Sequence, residues 1–374
     1  MLRFLTSGES HGKCLVAIVE GMVAGLPLCL EDIDRELCRR QEGYGRGGRM
    51  TIEKDRVEIL SGVRAEKTLG GPIALLIPNK DFKINELPVV KRPRPGHADL
   101  VGAMKYGRSD VRDILERASA RETAARVAVG AVCKVFLNEF GVEILSHVVS
   151  IGGVTFDASG LSFDQIKKES AHSPMRCADK EATKKMMARV DEARRTKDTI
   201  GGIFEVIARG VPVGLGSFVH YDRRLSARLA AALLSIQAVK GAEIGMGFEA
   251  SRHLGKDVHD EIFYEKKKGF YRKTNRAGGL EGGVTNGEDL VIRAATKPYA
   301  TLMSPLQSVH IDSKQKDTAT VERSDVTAVP ACGVVGEAMV AYELANSFLE
   351  KFGGDSLKET KRNFDGYLDQ LKAF

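Results

Sequence analysis

Apolar and polar positions repeat with different periods along this chain, and each change of period marks an element. The apolar run Cys14–Val19 predicts a buried strand, directly after the polar knot Gly8-Glu-Ser-His-Gly12. Leu30, Ile33 and Leu37 recur at helical spacing, with acids early and arginines late, so Leu30–Arg40 is expected to be a short helix. Met50–Glu53 and Arg56–Ser61 alternate around Lys54-Asp55, as a β-hairpin would. Thr68–Ile77 reads as a further buried strand. A long helix is expected over Asp113–Phe140, rich in Ala and Val in its later part and closed by Gly141. Val142–Ile151 reads as a strand, Lys180–Arg194 as a charged, mostly exposed helix and Ser226–Lys240 as an Ala/Leu-rich helix. Arg252 to Lys273 turns polar and lysine-rich, a surface excursion in which His253 and His259 are expected to be exposed. The strand Asp289–Ala294, the Ala/Val-rich helix Val334–Phe348 and an amphipathic helix after Gly353-Gly354 complete the pattern.

Thr68-Leu-Gly-Gly-Pro-Ile returns as Thr199-Ile-Gly-Gly-Ile-Phe, an echo that points to two related halves. No Pro/Ser-rich or low-complexity linker divides the chain. The expectation is therefore an α/β (α+β) protein built as one large domain over residues 1–374.

Composition narrows the class. Of 374 residues, 43% are hydrophobic and 28% charged, which suits a soluble globular protein and excludes a disordered chain. No run of about 18 apolar residues occurs, and the N-terminus lacks the apolar core of a signal peptide, so a cytoplasmic protein is expected. The six cysteines, Cys14, Cys29, Cys38, Cys133, Cys177 and Cys332, show no metal-ligand spacing and read as buried reduced thiols; no metal is expected. The net charge of +6 fits either an enzyme for anionic metabolites or a weak nucleic-acid surface.

The distribution of arginine points to chemistry. From Arg92 to Arg126, arginine dominates over lysine among Gly, Pro and Ala, as suits bidentate recognition of carboxylate or phosphate. Arg117 and Arg121 lie four apart and would share a helix face; structural pairing with Glu116 and Glu122 is the plainer alternative. Gly43, Gly45 and Gly48 satisfy GxGxxG, but a helix precedes and a strand follows, so a dinucleotide fingerprint is rejected. What remains is a glycine loop carrying Arg46 and Arg49, with Arg39 and Arg40 at its base; an RNA-binding Gly-Arg segment is the rival reading. His11 and His97, each in a glycine-bounded polar knot, are the acid/base candidates. Residues alone lead to a metal-free enzyme acting on a polyanionic small molecule.

Several runs go further. Gly8-Glu-Ser-His-Gly12, Gly43-Tyr-Gly-Arg-Gly-Gly-Arg-Met50, Arg94-Pro-Gly-His-Ala-Asp99, Glu116-Arg-Ala-Ser-Ala-Arg-Glu-Thr123, Gln237-Ala-Val-Lys-Gly-Ala-Glu-Ile-Gly245, Gly278-Gly-Leu-Glu-Gly-Gly283 and Arg323-Ser-Asp325 resemble the chorismate synthase family in order and spacing over about residues 1–345. The resemblance implies a β-α-β sandwich with an internal pseudo-two-fold repeat and a helical tail from about residue 345. It implies a homotetramer, and a 1,4-anti elimination of phosphate and a ring proton from 5-enolpyruvylshikimate 3-phosphate, giving chorismate. It implies a requirement for reduced FMN, with either NADPH or an external reductase keeping the flavin reduced. It assigns Arg40, Arg46, Arg49, Arg94 and Arg121 to the substrate and His11 to the proton for the departing phosphate. His97 becomes the partner of the flavin's anionic ring, Asp325 the aid to removal of the ring proton, and Ser10 and Ser119 their hydrogen-bonding supports. FMN would contact Arg117, Ala118, Ser119, Gln237, Ala238, Gly282, Lys297, Pro298, Tyr299, Ala300, Thr301 and Arg323. Three positions depart from the family pattern: Ala118 replaces a serine, Tyr299-Ala300 an Ile-Ser pair, and Ala242 a valine. A flavin oxidoreductase with net electron transfer is the further alternative. Neither nucleic acid nor a membrane is an expected partner, because the arginines suit a small triply acidic ligand.

Overall fold

The computed structural model describes residues 1–374 except 49–51 and 323. Arg49, Arg323 and the start of the expected Met50–Glu53 strand therefore lie outside the described residues.

Two antiparallel sheets face each other across a layer of helices. The first runs in the order Arg3–Ser7, Cys14–Glu20, Ile73–Pro78, Glu58–Ser61. The second runs Val239–Ile244, Leu290–Thr296, Gly202–Arg209, Glu143–Ile151, Val154–Thr155. Period-2 alternation gives each sheet one apolar face. Leu15, Ala17, Val19, Ile73, Leu75 and Ile77 point inward from the first; Phe204, Val206, Ala208, Leu290, Ile292 and Ala294 do so from the second. The helices Thr123–Asn138 and Val329–Phe352 pack on each other between these faces, with Leu30–Gln41 alongside. Both are apolar nearly all round, as helices covered on two sides must be.

Close approach of this pair depends on Gly130, where a Cβ would overlap the Cα and Cβ of Ala338. Phe136, Phe140, Phe348, Phe352 and Phe364 stack edge to face at one end and dock the helix Leu357–Ala373. One carboxylate sits in the middle of the layer. Glu337 is fully buried and accepts two hydrogen bonds of 2.8 Å from Arg39 and one of 2.6 Å from Ser146 Oγ, with Lys134 and Arg176 adding their charges. Burial pushes its carboxyl up, but Arg39, Lys134 and Arg176 outweigh that and hold it well below the usual carboxylate range.

The two echoed phrases lead into interior strands of the two sheets, Ile73–Pro78 and Gly202–Arg209. Other expectations need correction. Glu58–Ser61 pairs with Ile73–Pro78, and Glu53 and Asp55 on the expected hairpin are buried acids that bond to other segments. The helix expected over Ser226–Lys240 ends at Leu234, and Val239 already begins a strand. The helix expected over Val334–Phe348 is longer, Val329–Phe352, with Pro330 in its first turn, where the missing N–H costs nothing. The 252–273 excursion holds a short exposed hairpin, Ile262–Glu265 with Gly269–Arg272, and His253 and His259 are exposed as expected. Only Cys133, Cys177 and Cys332 are buried; Cys38 is exposed, and all six thiols are free.

Candidate active site

Loops and helix ends from distant parts of the chain enclose a cavity of about 680 Å³. Its walls come from the whole chain: Ser10 and His11, the helix end at Arg40, the loop Arg46–Gly48, Arg94 to Ala98, Ala118 to Arg121, Gln237-Ala238, Lys297, Tyr299 to Thr301, Asp325 and Cys332.

The helix expected over Asp113–Phe140 is broken where it meets this cavity. Arg112–Ala118 stops at Ser119, whose backbone is extended (ψ 142°), a 3-10 turn covers Ala120–Glu122, and Thr123–Asn138 resumes. Ser119 Oγ accepts the Arg121 backbone N–H at 3.3 Å, and Thr123 Oγ1 donates to the Ala120 carbonyl at 2.6 Å, so short hydroxyl side chains compete with the helix ladder. The break separates the two arginines that a regular helix would align. Arg117 is exposed and donates to the carbonyls of Thr6 (2.9 Å) and Gly8 (3.0 Å), away from the cavity. Arg121 turns inward, donating to Asp55 Oδ1 (2.6 Å) and Asn79 Oδ1 (2.9 Å). Neither pairs with Glu116 or Glu122: Glu122 takes Arg126, and Glu116 takes Arg112 and His11.

Arg40 shares Asp55 with Arg121, donating to Oδ2 at 3.2 Å and to Thr123 Oγ1 at 3.0 Å. Burial pushes the Arg40 guanidinium down to about 10, Asp55 opposing and the Arg121 and Arg46 charges adding to the shift. An anion in the cavity would relieve that crowding. Arg46 faces Asp325 Oδ2 at 3.4 Å, while the Gly47 N–H donates to Asp325 Oδ1 at 2.6 Å.

Arg94 grips the fully buried Asp99 through Nε (2.8 Å) and Nη2 (3.1 Å) and reaches Thr301 Oγ1 at 2.7 Å. Burial pushes the Asp99 carboxyl up, but His97 and Arg94 hold it well below the usual range. His97 Nδ1 lies 2.5 Å from Asp99 Oδ1 and 3.2 Å from Arg94 Nη2; an ionised carboxylate only accepts, so a proton on Nδ1 serves the Asp99 contact. His11 has the same arrangement: its Nδ1 lies 3.0 Å from both oxygens of Glu116, and Ser10 and Ser119 meet at 3.2 Å beside it.

On the far wall, Lys297 Nζ donates to the Gly96 carbonyl at 3.0 Å, and burial, then Lys240, lowers its pKa. Burial pushes the Tyr299 phenol up and the Cys332 thiol to about 11. Ala238 holds a left-handed φ of 71°, unusual for a residue with a Cβ, and its carbonyl accepts the Lys297 N–H at 2.9 Å. Gln237 Nε2 donates to Glu122 at 3.2 Å, whereas its buried Oε1 has no partner among the described residues.

Three of the expected contacts stay apart from the cavity: Arg117, Pro298, whose side is exposed, and Gly282, in the hairpin Leu280–Glu281 with Val284–Thr285 beside Phe218. Sequence reasoning missed Glu116, Asp99 and Asp55 as partners of the site. Asp99 stands two residues after His97, and that proximity was the available signal; Glu116 is 105 residues from His11, and no spacing marks it as that ring's partner.

Residues 2–349 match the family model for chorismate synthase. A chorismate synthase of Geobacter sulfurreducens is 56% identical, with both chains covered completely. That of Symbiobacterium thermophilum is 54% identical over 99% of each. A solved structure described as a crystal structure of chorismate synthase superposes with a TM-score of 0.84 at 47% identity, covering 100% of this chain and 99% of the other. The chain belongs to the chorismate synthase family. It is thereby a lyase of the shikimate pathway, which serves aromatic amino acid biosynthesis. Among the described residues no helix is long and apolar enough to cross a membrane.

The cavity suits the flavin that the family implies. Its volume lies within the roughly 300–1,000 Å³ usual for cofactor sites. The orphaned Gln237 Oε1 offers an acceptor to a ring N–H, and Lys297 supplies a cation at the same wall.

Proposed function

We propose that 5-enolpyruvylshikimate 3-phosphate is converted to chorismate in this cavity by 1,4-anti elimination of phosphate and a ring proton. The supporting observation is the set of buried guanidiniums of Arg40, Arg94 and Arg121 converging on one space, a basic enclosure for a ligand with two carboxylates and a phosphate. Arg46 and Arg49 complete the proposed substrate set. Ala118, Ser119, Gln237, Ala238, Lys297, Tyr299, Ala300 and Thr301 would hold reduced FMN, which would supply an electron-rich ring favouring loss of the allylic phosphate.

The chain's own groups handle protons. His11 delivers one to the departing phosphate, with Ser10 and Ser119 fixing the ground beside it. His97, held by Asp99 through Nδ1, would be the partner of the flavin's anionic ring. Asp325, steadied by the Gly47 N–H, would assist removal of the proton from the substrate ring. General acid–base steps of this kind contribute roughly 10²–10⁴ in rate.

An anaerobic assay with FMN reduced by dithionite tests the reading. Chorismate and inorganic phosphate should appear one for one, without net consumption of reduced flavin; stoichiometric flavin oxidation would instead indicate an oxidoreductase. Replacing dithionite with NADPH shows whether the chain reduces its own flavin. We further propose one domain over residues 1–374 and a cytoplasmic homotetramer. Exposed apolar side chains on the outer face of the first sheet, Leu5, Ile18 and Leu60, and around Phe218, Val219 and Tyr221 support association. Sedimentation equilibrium reads the mass directly.

A further inference from the structure

His11 hangs on one residue of the broken helix. The Ser10 N–H donates to the Glu116 carbonyl at 2.9 Å, and the His11 N–H donates to Glu116 Oε2 at 2.8 Å. The His11 ring then meets both carboxylate oxygens through Nδ1 at 3.0 Å. Glu116 is itself buried and fixed by Arg112, whose guanidinium spans from Glu116 (3.3 Å) to Glu322 (2.9 Å) on the cavity wall. Asp81 stands 3.7 Å from His11 Nε2 and is drawn to Lys83 at 2.8 Å. The carboxylate therefore sets the backbone, the ring plane and the tautomer of residue 11 together, while Asp81 and Lys83 border the other ring nitrogen.

We propose that Glu116 is the positioning residue for His11, accepting the Nδ1–H so that, in the imidazolium, the Nε2–H is the proton presented to the reaction. This rests on the reading of His11 as the proton donor to phosphate. Glu116 touches neither cofactor nor substrate; it acts through the imidazole. Buried acid–histidine pairs of this kind choose the tautomer by giving one ring nitrogen a permanent acceptor.

Glu116→Gln keeps the shape but offers one acceptor oxygen to two N–H groups of His11, so ring and backbone compete for it. Under the reduced-FMN assay, we expect E116Q to lose about 10- to 10³-fold in kcat with KM within about threefold. In a His11→Ala background the same change should cost less than about twofold, because its route of action is gone. Equal losses in both backgrounds overturn the proposal while leaving the role of His11 intact. A fully active His11→Ala protein instead removes the reading beneath it. Independently of how the variants fold, ¹⁵N-histidine NMR of the wild-type protein should show Nδ1 of His11 protonated; an unprotonated Nδ1 overturns the proposal.

Discussion

The Arg94 guanidinium and the Asp99 carboxylate form a two-pronged pair, 2.8 and 3.1 Å long, with the carboxylate fully buried. Asp99→Asn would leave the Arg94 charge buried without its counter-ion, and a loss of about 3–5 kcal/mol in urea unfolding is expected. The amide also gives His97 a poorer acceptor, so kcat should fall as well. Unchanged stability would mean that water or Thr301 satisfies Arg94 unaided.

The same carboxylate shapes the acid limb of stability. Asp99 and Glu337 both have folded pKa values depressed below their unfolded ones. Their contributions are fully present above the unfolded values of about 4 and disappear as pH falls through the lower folded ones. Unfolding free energy should therefore be insensitive to these groups from pH 7 to about 5 and decline below about pH 4. Asp99→Asn should flatten that decline; denaturant titrations at stepped pH measure it.

Arg40 titrates in a different window. Its folded pKa of about 10 lies below the unfolded value, so the buried charge costs stability below pH 10 and that cost fades as pH rises toward the unfolded value. Asp55 retains Arg121 as a partner at 2.6 Å if Arg40 is removed. Arg40→Met is accordingly expected to change stability by less than about 1 kcal/mol while raising the substrate KM at least about tenfold. An unchanged KM would place its guanidinium outside substrate recognition.

Gly130→Ala tests the helix layer. The added methyl has no space against Ala338, and overpacking of this kind costs about 1–3 kcal/mol. A lowered Tm with little change in KM is the expected result, since the contact lies within the core and not on the cavity.

His97→Ala is expected to retain cofactor and substrate binding but lose at least about tenfold in turnover. Equilibrium dialysis with FMN alongside the steady-state assay separates the two effects. Full activity would remove His97 from the proton chemistry.

Much of this was legible in the sequence because local pattern and tertiary position agree there. The strand at Cys14, the helices at Leu30 and Lys180 and the strand at Glu143 follow their hydrophobic periods to within a residue or two. The failures cluster at the cavity. Glu53 reads as a strand end and Asp55 as part of a hairpin turn, yet both are buried to meet charges that lie far away in sequence. The helix run from Asp113 gives no apolar signal of its interruption; the cause is hydroxyl competition at Ser119 and Thr123 together with the pull of Asp55 on Arg121. Gln237-Ala238 continue an Ala/Leu pattern but turn out through a left-handed residue. The arginines and histidines could be named from sequence, whereas their counter-ions could not, because pairing partners are set by the fold and not by spacing.

The cavity draws its walls from Ser10 at one end of the chain and Val335 near the other. Such an enclosure cannot exist in any growing fragment. During synthesis the first sheet and the helix Thr123–Asn138 emerge long before the second long helix, so the apolar faces they share must wait for a partner made last. Ligand binding can lend no stability to that waiting chain, since every bound state requires the late residues. Nascent chains released before residue 300 should be empty of flavin and exposed to chaperones and proteases, and cofactor supply would act only on finished molecules.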